Sequence, residues 1–397
     1  MIDISNKSML GLIKASIFGG PVEVPENTDW KKVLKQLKMH RIASLPYNLI
    51  GELPLDDAVR LSWEKYYLNQ QLYYNRLLSY QKEVCVAFAA EGIPAAVMKG
   101  TASGVYYPMP SLRTMGDIDI LVRPEDLVRC EEILLGLGYE TTEGLDKSER
   151  HCSYVKEHIE VELHYIFAKS YTDEIADRIN RRLAAALPDA RMMSVDGVDF
   201  PAFPEVENGF IILYHLYIHI YKDLGLRQVI DWMNFARRCE AGCWDEINAM
   251  AQDAGIYTMQ QVMTKLCVKY MGLPRTDAIS WCENADDTLV DELLEYICGQ
   301  GNFGSNLAND DYSGRISGIT GIVSGFRRLQ RGGICRWEAA RKYRVLRPFA
   351  WIYQAVRVII ITLSRRDPIG SYKRDFAEGA ATADLMKRLG LKPRQVG

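Results

Sequence analysis

Residues 117–122 read Asp-Ile-Asp-Ile-Leu-Val. In a strand, successive side chains point to opposite faces. Asp117, Asp119 and Leu121 therefore share one face, and Ile118, Ile120 and Val122 the other. The apolar triple requires a core beneath it. The paired carboxylates repel and raise each other's pKa, so their face requires cations. Residues 159–164, Ile-Glu-Val-Glu-Leu-His, repeat the device, with Ile159, Val161 and Leu163 opposed to Glu160, Glu162 and His164. A chain built this way needs a sheet with one dry face and one acidic face. Oxygen ligands of this hardness suit Mg2+ or Mn2+. Two such ions clamping phosphate oxygens serve in-line phosphoryl or nucleotidyl transfer.

The sequence around these strands predicts an α+β fold: a small mixed β-sheet domain at 91–203, embedded between a helical region at 1–90 and a helical domain at 204–397. Residues 29–90 carry apolar side chains at spacings of three and four, the signature of helix, until Gly92 and Pro94 end it. The period then changes. Residues 93–98 are a short buried strand and 100–107 a short helix. Residues 108–116 are a loop, and 124–138 a helix with Pro124 at its start and glycines at its end. Residues 172–187 form a further helix, and 192–203 a hairpin around Asp196-Gly197. After Pro204 the chain is helical almost to its end, apart from a loop at 299–314 rich in Gly, Asn and Asp.

Other residues frame the acids. Lys99-Gly100-Thr101 follows a buried strand and opens a helix of small residues, where backbone N–H groups and a lysine can meet phosphate. Arg113 and Gly116 lie just before Asp117. On the helices that follow, His215 and His219 share a face at i, i+4, as do Arg227 and Asp231, which are spaced to form an ion pair. No glutamate follows His215 as zinc-protease chemistry needs, so these groups are expected to wall a nucleotide or acceptor pocket or to make a helix–helix polar contact.

Residues 98–122, with Gly136-Leu137-Gly138-Tyr139-Glu140 and Val161-Glu162-Leu163-His164-Tyr165, resemble the uncharacterised nucleotidyltransferase family of the DNA polymerase β-like superfamily. The likeness extends through Gly225-Leu226-Arg227-Gln228 and Asp231-Trp232. It implies a metal-dependent enzyme that transfers a nucleoside monophosphate from NTP to an acceptor. Asp117, Asp119 and Glu162 would be its catalytic and metal-binding acids, with Glu160 the competitor for the third place. It further implies that Lys99, Gly100, Thr101, Arg113 and Gly116 contact nucleotide, and that His164, His215, His219, Arg227 and Asp231 line the pocket. The Lys-Gly turn departs from the Gly-Ser of the wider superfamily but agrees with this family. The alternatives are a catalytically silent nucleotide- or anion-binding relative, or a phosphotransferase using the same acids.

Bulk properties narrow the setting. The net charge of −3 argues against a chain that binds nucleic acid over its whole surface. Nine cysteines (Cys85, Cys130, Cys152, Cys239, Cys243, Cys267, Cys282, Cys298 and Cys335) are odd in number and lack paired CxxC elements, so reduced thiols in a cytoplasmic protein are expected. The first twenty residues do not read as a signal peptide. Residues 348–363 are apolar but interrupted by Arg357 and too short to span a bilayer, so a buried helix is expected there. Between 327 and 366, eleven basic residues stand against Glu338 alone. This stretch is read as a solvated face balancing the acidic 286–311 region, with an anionic partner as the alternative.

Overall fold

The computed structural model describes residues 3–141, 150–168, 174–221, 224–300, a scatter of positions between 326 and 343, and then 344–363 and 380–391. Residues 1–306 gather into one unit and 307–397 into another.

The first unit opens with α1 (Ile4–Phe18) and α2 (Trp30–Met39), followed by α3 (Asp57–Ala90). The periodic stretch 29–90 is thus broken. A short 3-10 turn at Tyr47–Glu52 intervenes, and α3 restarts where the Asp56 carboxylate accepts the Val59 N–H at 2.7 Å. Then come β1 (Ala95–Met98), α4 (Gly100–Gly104), β2 (Ile118–Val122), α5 (Leu127–Gly136), β3 (Glu140–Thr141), β4 (His151–Lys156), β5 (Ile159–His164), α6 (Glu174–Ala186), β6 (Arg191–Val195) and β7 (Val198–Ala202). The strands make one seven-stranded mixed sheet in the order β3-β4-β5-β2-β1-β7-β6. β2 is antiparallel to β1 and parallel to β5.

Alternation sorts the two faces as the sequence requires. Ile118, Ile120, Val122, Ile159, Val161 and Leu163 join one apolar core with Leu77, Val84 and Phe88 of α3 and with Cys130 and Leu134 of α5. Each such side chain contributes about 1.5–3 kcal/mol by leaving water. Asp119, Glu162 and His164 lie on the opposite face.

Helices α7 (Glu205–His219), α8 (Leu226–Arg238), α9 (Trp244–Asp253), α10 (Tyr257–Tyr270) and α11 (Asp287–Gln300) follow. α7 and α8 cross at Gly209, where an added Cβ would sit 2.1 Å from the Phe235 ring. α8 is tied to the end of α4 by Arg237 and Arg238, which donate to the carbonyls of Tyr106 (3.0 Å) and Val105 (2.7 Å).

In the second unit a 3-10 turn at Arg344–Phe349 leads into α12 (Ala350–Leu363). Helicity over 348–363 matches expectation, but burial does not: Ile352, Tyr353 and Val356 are exposed. Among the described residues no helix is long and apolar enough to cross a membrane. No disulfide joins the described cysteines, six of which are buried, with Cys239 and Cys243 half-buried. Cys335, most of the 299–314 loop and much of the basic stretch lie outside the described residues.

Candidate active site

Asp119 is the centre of the polar face. It is buried to 3% exposure and sits directly opposite Glu162 across the parallel β2/β5 pair. Lys99 Nζ donates to Asp119 Oδ1 at 2.8 Å, and His164 Nε2 meets the same oxygen at 2.7 Å. An ionised carboxylate only accepts, so Nε2 carries the proton. The same Nε2 lies 3.1 Å from Glu162 Oε2. Burial alone would push the Asp119 carboxyl up, but Lys99 and His164 hold it well below the usual carboxylate range. In return, His164 is raised in spite of its burial by its bonds to Asp119 and Glu162.

Asp117, just ahead of β2, is the acid whose charge its surroundings disfavour. Burial, then the charges of Asp119 and Glu162, push it up to about 6, although Lys99 and Arg227 pull the other way. The three acids therefore share one field, and the local cations do not fully balance them. Glu160 lies one pleat further back on β5, opposite Val155 of β4.

Lys99 caps α4 with φ +51°, a conformation that costs a non-glycine residue of order 1–3 kcal/mol. Gly100 follows at φ +32°, and a Cβ there would come 3.6 Å from the Asp117 carbonyl. This turn carries β1 into α4 while keeping the Lys99 amine on the acids. Thr101 points elsewhere: it is buried, and its hydroxyl bonds Gln81 of α3 at 2.7 Å. Gly116 is exposed, and its carbonyl accepts from the Tyr73 hydroxyl.

The helical block joins the site from the same side. Arg113 grips Asp231 with Nε and Nη2, both at 2.8 Å, and the Tyr107 hydroxyl adds a third bond at 2.8 Å. Sequence spacing pairs Asp231 with Arg227. In the fold, Asp231 turns instead to Arg113, because the planar guanidinium matches the carboxylate bidentately. Arg227 donates to the Thr114 carbonyl at 3.3 Å and is close enough to lower Asp117. His215 feels Lys99 and Asp119, and burial, then His219, hold it well below the ordinary histidine range. The His215 and His219 rings meet edge to face at 4.4 Å.

One residue of the site escaped the sequence reading. His151 of β4 lies opposite His164 in the ladder, and its Nε2 is 3.6 Å from Glu162 Oε1. The alternation Cys152, Tyr154 (in) against His151, Ser153 (out) was the available signal.

Residues 26–272, more than half of the chain, match the family described as uncharacterised nucleotidyltransferase. The chain belongs to this family. No curated protein matches this family member. Among solved structures, the antibiotic-resistance factor ANT(2'')-Ia in solution is similar at 13% identity and a TM-score of 0.33, over 45% of this chain and 92% of that one. The same factor in complex with adenylyl-2''-tobramycin gives 14% and 0.30, over 44% and 94%. An antigenic nucleotidyltransferase-like protein from Paracoccidioides brasiliensis gives 12% and 0.33, over 52% and 97%.

Proposed function

We propose that the chain transfers a nucleoside monophosphate from an NTP to an acceptor in the cytoplasm, releasing pyrophosphate, with Mg2+ or Mn2+ as cofactor. The observation that carries this reading is the register of Asp119 against Glu162 on the polar face, beside an Asp117 pushed up to about 6. Asp117, Asp119 and Glu162 offer hard oxygens in negative surplus, which fits a divalent cation, and they are the residues that would hold it. Bound ions would neutralise charge on the triphosphate and on the leaving pyrophosphate.

The chain's own groups would do the rest. Lys99 is poised to pass from Asp119 to a phosphate oxygen, with the Gly100 backbone leaving room for close approach. Glu162 would accept the proton of an acceptor hydroxyl at a carboxylate oxygen. Arg227, His215, His219 and His164 would wall the pocket. Thr101 would contribute through its backbone, since its hydroxyl already has a partner. Arg113 and Asp231 would act by holding the loop before Asp117 against α8. Positioning and charge neutralisation would supply most of the rate.

The test is transfer of label from ATP carrying it on the α-phosphate or on the γ-phosphate, with Mg2+ and a cell extract as the acceptor source. Label from the α-position on an acceptor supports nucleotidyl transfer. Label from the γ-position would replace it with phosphoryl transfer. No transfer together with retained nucleotide binding would favour a silent relative.

A further inference from the structure

We infer that this polar face also holds a nitrogen-containing metal position formed by His151, Glu162 and His164, suited to Mn2+, Co2+ or Zn2+ over Mg2+. The inference rests on the reading of this face as a cation site and adds two residues, His151 and His164, to one of its three acids, Glu162. β4 and β5 run antiparallel with His151 opposite His164, and directly opposed side chains have Cβ atoms about 4.5–5.5 Å apart. The two rings stand 4.9 Å apart. Glu162, two residues before His164 on the same face, reaches both: Oε1 is 3.6 Å from His151 Nε2 and Oε2 is 3.1 Å from His164 Nε2.

One ligand atom from each residue lies within 4.8 Å of the others. Bonds of about 2.0–2.2 Å to a shared ion bring nitrogen and oxygen ligands roughly 3–4 Å apart, so small side-chain movements complete the set. His164 is 2% exposed, and the Nδ1 atoms of both rings are buried with no hydrogen-bond partner among the described residues. A ring held at one nitrogen can turn or change tautomer, as a ligating imidazole must. Mg2+ demands oxygen and water, whereas imidazole favours later first-row cations in the order of their affinities. One imidazole beside an acid would be a plain hydrogen bond. Two imidazoles on one carboxylate, at an open edge of an acid cluster, make a ligand set.

The experiment uses the full chain without a histidine tag, loaded with Mn2+ in the absence of nucleotide. Pulsed electron paramagnetic resonance should show nitrogen-14 modulation from imidazole. Calorimetry should give Mn2+ binding at least about tenfold tighter than Mg2+. His151→Gln and His164→Gln should each weaken the modulation and bring the two affinities together. If His164→Gln fails to fold by circular dichroism, His151→Gln, at a half-exposed position, decides alone. No nitrogen modulation in the native chain, or modulation unchanged by His151→Gln, overturns the inference. A separate titration of the double variant Asp117→Asn, Asp119→Asn with Mn2+ and a non-hydrolysable NTP judges the wider reading. Nucleotide-coupled binding surviving there would defeat the acids' role, whatever the histidines do.

Discussion

Asp119 of β2 and Glu162 of β5 are register partners in a parallel ladder, and both point to the polar face of the sheet. Glu160 shares that face but sits two residues, about 6.6 Å, back along the strand. Glu162→Gln should therefore lower pyrophosphate release by about 10²–10⁴-fold, the range expected when a positioned proton acceptor is lost. Glu160→Gln should keep most of the activity. The reverse order of effects would put the reacting centre beside Asp117 and Glu160, one pleat away.

Asp117 predicts a stability effect with a definite sign. Its carboxyl is raised from 3.8 to about 6 in the fold, so between these values the folded chain holds more protons than the unfolded one. Stability from this group falls as pH rises through that window and stays low above it. Asp117→Asn should make the chain more stable by about 1–2 kcal/mol at pH 7.5 without divalent ions. The advantage should shrink as pH drops toward 4. Urea denaturation at several pH values measures it, and a variant less stable than the native chain at pH 7.5 would contradict the account.

Arg113 and Asp231 form a bidentate pair with almost no exposure at either side chain. Breaking such a pair leaves one buried charge uncompensated, which costs about 3–5 kcal/mol. Asp231→Asn and Arg113→Met should each lower stability by that order. Arg113→Lys should not restore it, because an ammonium cannot reproduce the two-pronged fit. A loss below about 1 kcal/mol for Asp231→Asn would mean water reaches the pair.

How much could be read in advance differs from one strand to the next. The two-residue alternation in β2 and β5 set Asp119 and Glu162 apart from the apolar Ile118, Ile120, Val161 and Leu163, because a half-buried strand writes its pleat into the sequence. The hairpin at Asp196-Gly197 was equally plain, and Val195 indeed pairs with Val198. β4 was missed because its turn to β5 is made by Glu157 and His158, both at positive φ, where Asn-Gly is the usual mark. His151 went unseen with it. The Arg113–Asp231 pair could not be read in advance, because only the tertiary fold brings Asp231, Tyr107 and Arg113 together. The break between α2 and α3 hid behind continuous apolar spacing, which reports a face but not where a helix stops.

Gly209 predicts an exception to the usual benefit of alanine in helices. Glycine inside a helix costs about 0.5–1 kcal/mol relative to alanine, yet here a methyl would overlap the Phe235 ring. Gly209→Ala should lose about 1–3 kcal/mol, the ordinary cost of overpacking. Adding Phe235→Leu should recover part of that loss, a coupling expected of residues in contact. Thermal unfolding of the single and double variants supplies the measurement, and strict additivity would rule out the clash.

The strand order also governs how the chain can be made. β1 and β2 are the inner strands, but their outer neighbours β7 and β5 are synthesised after them. On the ribosome the newborn antiparallel pair exposes two unsatisfied edges, each able to capture a strand from another nascent chain. α3 already shields its apolar face, so the danger is edgewise. Release of a chain that stops between 165 and 197 leaves the β1 edge bare for good, and such fragments should accumulate as insoluble material. Slower translation between 123 and 197 lengthens the interval before β5 and β7 emerge to seal those edges, so it should lower the soluble yield of the complete chain.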